Sequence, residues 1–175
     1  VTAFDLFPEM LAVAQRAVHK EMLPVQFCLG CIERGLAFRP ESFDLVICAL
    51  ALCHVPDLTG AMRQFFTVLQ MGGYLVLTDF HPDNVAYGWR THVRLPGGQW
   101  FLPNAPHTRA DYVDAVEKAG LDVLDVIDTP LRKVPEGVFP FHEEMIKELG
   151  DQNVCLSIFA QRTQRRPPWP LVRVH

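Results

Sequence analysis

No segment of this chain stays apolar for long enough to cross a bilayer. The longest uninterrupted apolar run, Leu45 to Cys53, stops at His54, well short of the roughly 18 residues a membrane span needs. An excess of positive charge is also missing: 16 basic residues face 20 acidic ones, for a net charge of −4. Without a broad electropositive field to gather phosphates, nucleic acid and membrane surfaces are set aside as partners. There is no low-complexity tract, internal repeat or linker, and 14 Pro and 11 Gly are too few for collagen or a disordered chain. Five cysteines, an odd number with no signal peptide before them, do not make the framework of a small secreted domain, and reduced thiols in the cytoplasm are expected. The chain opens at Val1 and not at Met, directly in strand-like sequence, and is expected to lack whatever preceded it.

What is present is a chain of 175 residues, 49% of them hydrophobic, enough to build one folded domain with a substantial core. Val1 to Phe4 reads as the end of a strand that delivers Asp5. Pro8 then suits a first helical turn, and Leu11, Ala14 and Val18 recur at helical spacing. Val25 to Leu29 predicts a second strand, followed by a loop. Phe43 to Ala51 is apolar almost without alternation, the pattern of a central parallel strand covered on both faces. The positions Leu58, Ala61, Met62, Phe65 and Leu69 trace one helical face after the capping candidate Asp57, and Gly72-Gly73 is expected to end that helix. Tyr74 to Thr78 follows as a buried strand.

From about 82 to 107 the pattern breaks up into Pro, Gly, aromatics and histidines. Here an inserted flap is expected, with Pro96-Gly97-Gly98 turning a hairpin between Val93–Leu95 and Trp100–Leu102. Tyr87, Trp89, Trp100 and Phe101 either shield a hydrophobic substrate or form a satellite core under the loop. Thr108 with Asp111 has the form of a capping box and opens a helix closed by Gly120. Leu121 to Ile127 and Val154 to Ala160 read as the last strands, with a short helix around His142 to Leu149 between them. Residues 164–175 have no core pattern, and Arg162, Arg165 and Arg166 are read as a solvated terminus. The expectation is one α/β domain over 1–163 with a loose tail.

The segments "VTAFDLFPEM" and "FDLVICALALCHVPDL…VLQMGGYLVLTDFHP" resemble class I S-adenosylmethionine-dependent methyltransferases, and "HTRADYVDAVEKAGLDVLDV" and "NVCLSIFAQR" are similar to the closing helix and strands of that fold. The resemblance implies a Rossmann-like sheet, mainly parallel with an antiparallel last strand. It also implies S-adenosylmethionine as cofactor and a small-molecule substrate, with O-methylation the first expectation. Asp5 would bind the ribose hydroxyls, a role that a carboxylate at the carboxyl end of a parallel strand can fill; the alternative is a helix N-terminal acid held by the dipole. Leu6 follows it in the cofactor loop. Met10 would pack on adenine or in the core, Cys31, Ile32 and Glu33 would flank the ring, and Cys48 and Ala49 would face the methionine portion or be core.

Three departures from the family pattern stand out. The glycine-rich first strand and loop are absent, which implies a complementing N-terminal segment or a homodimer partner. Gly30-Cys31 stands where the family commonly has Gly-Asp, and Phe7 where it often has a capping Ser. For chemistry, His54, His81 and His107 are the candidates to take a proton from a substrate hydroxyl, with His81, directly after a buried strand, placed first; each is also readable as a structural histidine. A zinc site from Cys28, Cys31, Cys53 and His54 is disfavoured because the second pair lacks the usual spacing, and no metal is expected. A nicotinamide-dependent Rossmann oxidoreductase and a non-catalytic methyltransferase-like partner domain are the alternatives.

Overall fold

The computed structural model describes residues 1–95, 97–135, 147–164 and 167–169. They fall into two compact units, Val1–Phe38 and Arg39–His175. No helix among the described residues is long and apolar enough to cross a membrane.

The first unit is a strand, a helix and a second, parallel strand: β1 (Thr2–Asp5), α1 (Pro8–Lys20) and β2 (Gln26–Leu29), followed by a 3-10 turn at Ile32–Arg34. Pro8 occupies the first turn of α1, and Phe7 offers no side-chain cap. Asp5 Oδ1 instead accepts the Phe7 N–H at 2.8 Å, an Asx turn that leads into the helix. A Cβ on Gly30 would stand 2.5 Å from the Phe4 ring, so a larger residue there would have to displace that ring.

The second unit carries β3 (Phe43–Ala49), a 3-10 turn at Leu52–His54, α2 (Leu58–Val68), β4 (Leu69–Phe80), α3 (Pro82–Ala86), β5 (His92–Leu95), β6 (Gly98–Phe101), α4 (Arg109–Lys118), β7 (Asp122–Pro130) and β8 (Asn153–Gln161). Its four-stranded sheet runs in the order β3-β4-β8-β7. β3 and β4 are parallel, and β8 is antiparallel to both of its neighbours, as the sequence leads one to expect. Alternate residues of β4 and β8, among them Leu75, Leu77, Leu156 and Ile158, are buried, as is the predicted face of α2, Leu58, Ala61, Met62 and Phe65, in a helix that packs against α4 and β4. β5 and β6 form the expected hairpin. The capping box of α4 is also present, with Thr108 Oγ1 accepting from the Asp111 N–H and the Asp111 carboxylate accepting from the Thr108 N–H.

Four expectations need correction or fall outside what is described. β3 lies at the edge of its sheet and not at the centre, and Leu45 and Ile47 are 45% and 66% exposed. β4 and β8 are the strands with a neighbour on each side. Helix α2 ends at Val68, before Gly72-Gly73, because Leu69 turns extended and pairs with Phe43; the glycines belong to β4, where a Cβ on Gly73 would lie 3.1 Å from the Asp44 carbonyl. Arg162 is buried and not solvated. It donates to the carbonyls of Phe66 and Leu69, which α2 leaves unpaired at its end, pairs with Glu41 at 2.8 Å and lies over the Phe66 ring. Arg165, Arg166 and most of the expected helix around His142 to Leu149 lie outside the described residues. Within the expected tail, Trp169 packs edge-on against Phe66 and under the Arg63 guanidinium.

A second polar junction ties β7 to α3 and α4. Asp128 accepts from Arg109 Nε at 2.9 Å and from His81 Nε2 at 3.1 Å. Burial pushes its carboxyl up, but the hydrogen bonds from Arg109 and His81 outweigh it and hold the group below the ordinary carboxylate range.

Arg162→Met is expected to deprive the buried Phe66 and Leu69 carbonyls of the guanidinium donor and to cost about 3 kcal/mol, read as a lower urea midpoint at unchanged slope. Because the Asp128 pKa is lowered on folding, its contribution is complete above the ordinary carboxylate pKa of about 4 and is lost as pH falls through the lowered value. Acid titration of stability should therefore be shallower in Asp128→Asn than in the wild type below about pH 4; superimposable curves would show that the junction contributes nothing.

Candidate functional site

In the first unit the parallel pairing of β1 and β2 sets Asp5 opposite Leu29. The carboxyl ends of the two strands therefore bring Asp5 and Leu6 to the same end as Cys31, Ile32 and Glu33. Asp5 uses Oδ1 on the Phe7 N–H, and Oδ2 has no hydrogen bond among the described residues. Leu6 and Met10 are exposed, Met10 at 55%, so Met10 does not pack the core of α1, which Leu11 supplies. The Cys31 thiol points at Glu33, at 4.0 Å. A free carboxylate oxygen beside exposed apolar side chains is a donor set that fits a ribose with a flat, apolar base.

In the second unit Cys48 and Ala49 end β3. The Cys48 thiol is pushed up to about 12 by burial and by the Asp79 carboxylate, so it stays a neutral thiol. The backbone leaves the strand through Leu50 in the left-handed region, at φ 53°, an uncommon setting for a residue with a side chain. The next turn, Leu52–His54, is anchored from β4: Asp79, 1% exposed, accepts the Cys53 N–H at 2.7 Å, the Phe80 N–H at 2.8 Å and the Tyr112 hydroxyl at 3.2 Å. Burial raises the Asp79 pKa against the pull of these donors. The same burial, reinforced by Asp79, raises Cys53 and Tyr112, which remain protonated.

The segment Pro103–His107 is laced to this turn. His54 Nδ1 donates to the Pro103 carbonyl at 2.7 Å, the Ala105 N–H donates to the Cys53 carbonyl at 2.8 Å, and His107 Nε2 donates to the Val55 carbonyl at 2.7 Å. A ring nitrogen facing a carbonyl must carry the proton, so the lacing fixes both tautomers. His54 keeps Nε2 as an acceptor and His107 keeps Nδ1, and neither nitrogen has a hydrogen-bond partner among the described residues. The His107 ring also stands edge-on to Tyr112, with centroids 5.7 Å apart.

His81 is built differently. It is 1% exposed, its Nδ1 accepts the Asp83 N–H at 3.2 Å as the cap of α3, and its Nε2 faces Asp128. Both nitrogens are engaged, so the ring holds α3 to β7 and has no lone pair left for a substrate. Of the three histidines, His54 and His107 are bonded into the lacing between the turn and the Pro103–His107 segment, and His81 is bonded to α3 and β7. Sequence reasoning missed Asp79, Tyr112 and Asp128. An acid closing an otherwise apolar strand is a readable signal for Asp79, whereas nothing local marks Asp128. Among the described residues no cluster of three His, Cys, Asp or Glu is arranged to hold a metal.

Comparison with known proteins agrees with this architecture. Residues 1–77 match the model of a methyltransferase domain. A ubiquinone biosynthesis O-methyltransferase of Xanthomonas euvesicatoria pv. vesicatoria (strain 85-10) is 31% identical over 135 residues, covering 72% of this chain and 55% of that protein. Its counterpart from Xanthomonas axonopodis pv. citri (strain 306) is 30% identical over the same coverage. The chain thus spans about half the length of the curated relatives it matches. Among solved structures, an S-adenosylmethionine-dependent methyltransferase from Mesorhizobium loti superposes with a TM-score of 0.69 at 21% identity, over 93% of this chain and 80% of that one. One from Methanosarcina mazei gives 0.67 at 20%, over 93% and 81%. Residues 1–77 thus match a methyltransferase domain, and the fold is the one seen in solved S-adenosylmethionine-dependent methyltransferases.

Proposed function

We propose that this chain forms part of an S-adenosylmethionine-dependent enzyme that methylates a hydroxyl of a small molecule, with His54 as the base. The observation that carries the reading is the fixed tautomer of His54, which points a free Nε2 lone pair away from the Pro103 carbonyl. The cofactor, when bound, supplies an electrophilic methyl on a sulfonium. What the protein adds is position and proton transfer: His54 Nε2 accepts the hydroxyl proton as the oxygen becomes nucleophilic, and the resulting imidazolium is stabilised by the carbonyl it already faces. His107, with its own free nitrogen, is the second candidate, and His81 acts through the fold. On the cofactor side Asp5 Oδ2 binds the ribose, Met10 packs on adenine, and Cys31, Ile32 and Glu33 flank the ring. Transfer to oxygen is favoured over transfer to nitrogen or carbon by the O-methyltransferase names of the relatives. The five free thiols fit a reducing compartment, the cytoplasm.

Transfer of a labelled methyl to a panel of small hydroxylated compounds tests the reading. His54→Gln is expected to slow transfer by roughly 10² to 10⁴ with stability unchanged, whereas His81→Gln should lower the melting temperature and leave the rate of the folded fraction nearly intact. The opposite pattern would return the base to His81. Asp5→Ala should weaken binding of S-adenosylhomocysteine roughly ten- to a hundredfold, since hydrogen bonds to a charged acceptor are lost; unchanged affinity in a calorimetric titration would remove Asp5 from the cofactor site.

A further inference from the structure

Two side-chain atoms among the described residues are buried without a hydrogen-bond partner, Thr91 Oγ1 and Asn104 Oδ1. Both residues line one cavity of about 50 Å³, whose other walls come from Phe80, Val85 and Trp89, with Asn84 and Arg90. The last two are committed elsewhere. Asn84 donates to the Val154 carbonyl and accepts from Gln152, each at 3.0 Å, and Arg90 Nη1 donates to the carbonyls of Val85 and Trp89. The buried cavity atoms without a partner are therefore Thr91 Oγ1 and Asn104 Oδ1, beside the exposed Arg90 side chain.

Buried polar atoms are nearly always paired, and leaving one unpaired is costly. Two such atoms on one small cavity mark a place made to receive a polar group. We propose that this notch binds a neutral hydroxyl of the small-molecule acceptor, an assignment that rests on the methyl-transfer reading above. Asn104 Oδ1 can only accept, and the Thr91 hydroxyl can donate or accept, so a hydroxyl satisfies both at once. In the orientation the amide takes, Oδ1 is the unpartnered end. A carboxylate could pair with the Arg90 guanidinium but cannot donate to Asn104 Oδ1, against which it would set its charge. An ammonium would lose its hydration between Phe80 and Trp89, beside the Arg90 guanidinium. The cavity of about 50 Å³ exceeds the roughly 10–15 Å³ that one water needs, which leaves room for a hydroxyl and the carbon that carries it.

Location connects the notch with the chemistry. Asn104 stands between Pro103, whose carbonyl accepts from His54, and Ala105, whose N–H donates to Cys53. A hydroxyl held on Asn104 is thereby held beside the turn that carries His54. Thr91 is fixed through its carbonyl, which accepts the Leu102 N–H at 2.8 Å, so the two polar atoms are presented by backbone that is itself pinned.

The test is an NMR titration of the whole chain with phenol, toluene and anisole, three arenes that differ in what they offer the notch. Phenol donates and accepts, anisole only accepts, and toluene does neither. Phenol is expected to bind about tenfold more tightly than the other two, the effect of one or two neutral hydrogen bonds, and to shift the signals of Thr91 and Asn104. The Thr91→Val, Asn104→Leu double variant should bind all three alike, and Thr91→Ser should keep the preference for phenol, with the amide spectrum of β8 reporting that each variant is folded. Equal binding of the three compounds by the wild type, or no response at Thr91 and Asn104, would mean that the notch holds water only and would overturn the proposal. Selective binding of phenol without methyl transfer to any hydroxyl would leave the notch standing and remove the catalytic reading; transfer that ignores both substitutions would do the reverse.

Discussion

The burial of the Asp79 carboxyl is the interaction on which the second unit turns. A carboxylate taken out of water costs several kcal/mol unless donors replace the solvent, and here the donors come from three elements. The Cys53 N–H belongs to the turn after β3, the Tyr112 hydroxyl to α4, and the Phe80 N–H to the end of β4 itself. None of the three can move away without exposing the charge to an apolar environment. Fold and site are for this reason one problem: the group that locks α4 onto the sheet also fixes the height of the turn that carries His54. The raised pKa values of Cys53 and Tyr112 follow from the same enclosure, and a tyrosine that keeps its proton remains a hydrogen-bond donor to Asp79.

A different solution operates at the C-terminal end of α2, where Arg162 supplies buried donors to two carbonyls and Glu41 and the Phe66 ring complete its surroundings. Asp79 is an acceptor enclosed by donors and Arg162 a donor enclosed by acceptors, at the two ends of neighbouring elements. Both obey the rule that a buried charge is tolerated only with its full set of partners. Together they fix α2 and α4 against the sheet in ways that apolar packing alone, which is non-directional, would not.

Much of the element order was legible because it is written in short-range patterns. The period of the α2 face, Thr108 with Asp111, and Gly97 with Gly98 each carry a local physical reason for the structure formed there. Where the reading failed, the deciding partner lay far along the chain. Leu69 continues the helical period of α2, yet Phe43 draws it into a strand. Arg162 has the composition of a solvated end, yet the partners that bury it are Glu41, Phe66 and Leu69. The apolar run of β3 predicts cover on both faces, but pattern reports which residues prefer burial and not whether a neighbour is there to bury them. Leu45 and Ile47, exposed on an edge strand, show the difference.

The histidines make the same point for the site. His54, His81 and His107 were equal in sequence, each close to a strand end or at the mouth of the flap, and position favoured His81. What separates them is the hydrogen-bond count on each ring. An imidazole has two nitrogens, and one must be free with a lone pair if it is to take a proton. His81 spends one on the Asp83 N–H and turns the other to Asp128, so in this arrangement neither nitrogen presents a lone pair to a substrate. His54 and His107 each spend a single nitrogen on a backbone carbonyl, which orients the ring, sets the tautomer and leaves the second nitrogen available. A base needs that combination of one bond made and one withheld, and only backbone geometry decides which histidine has it.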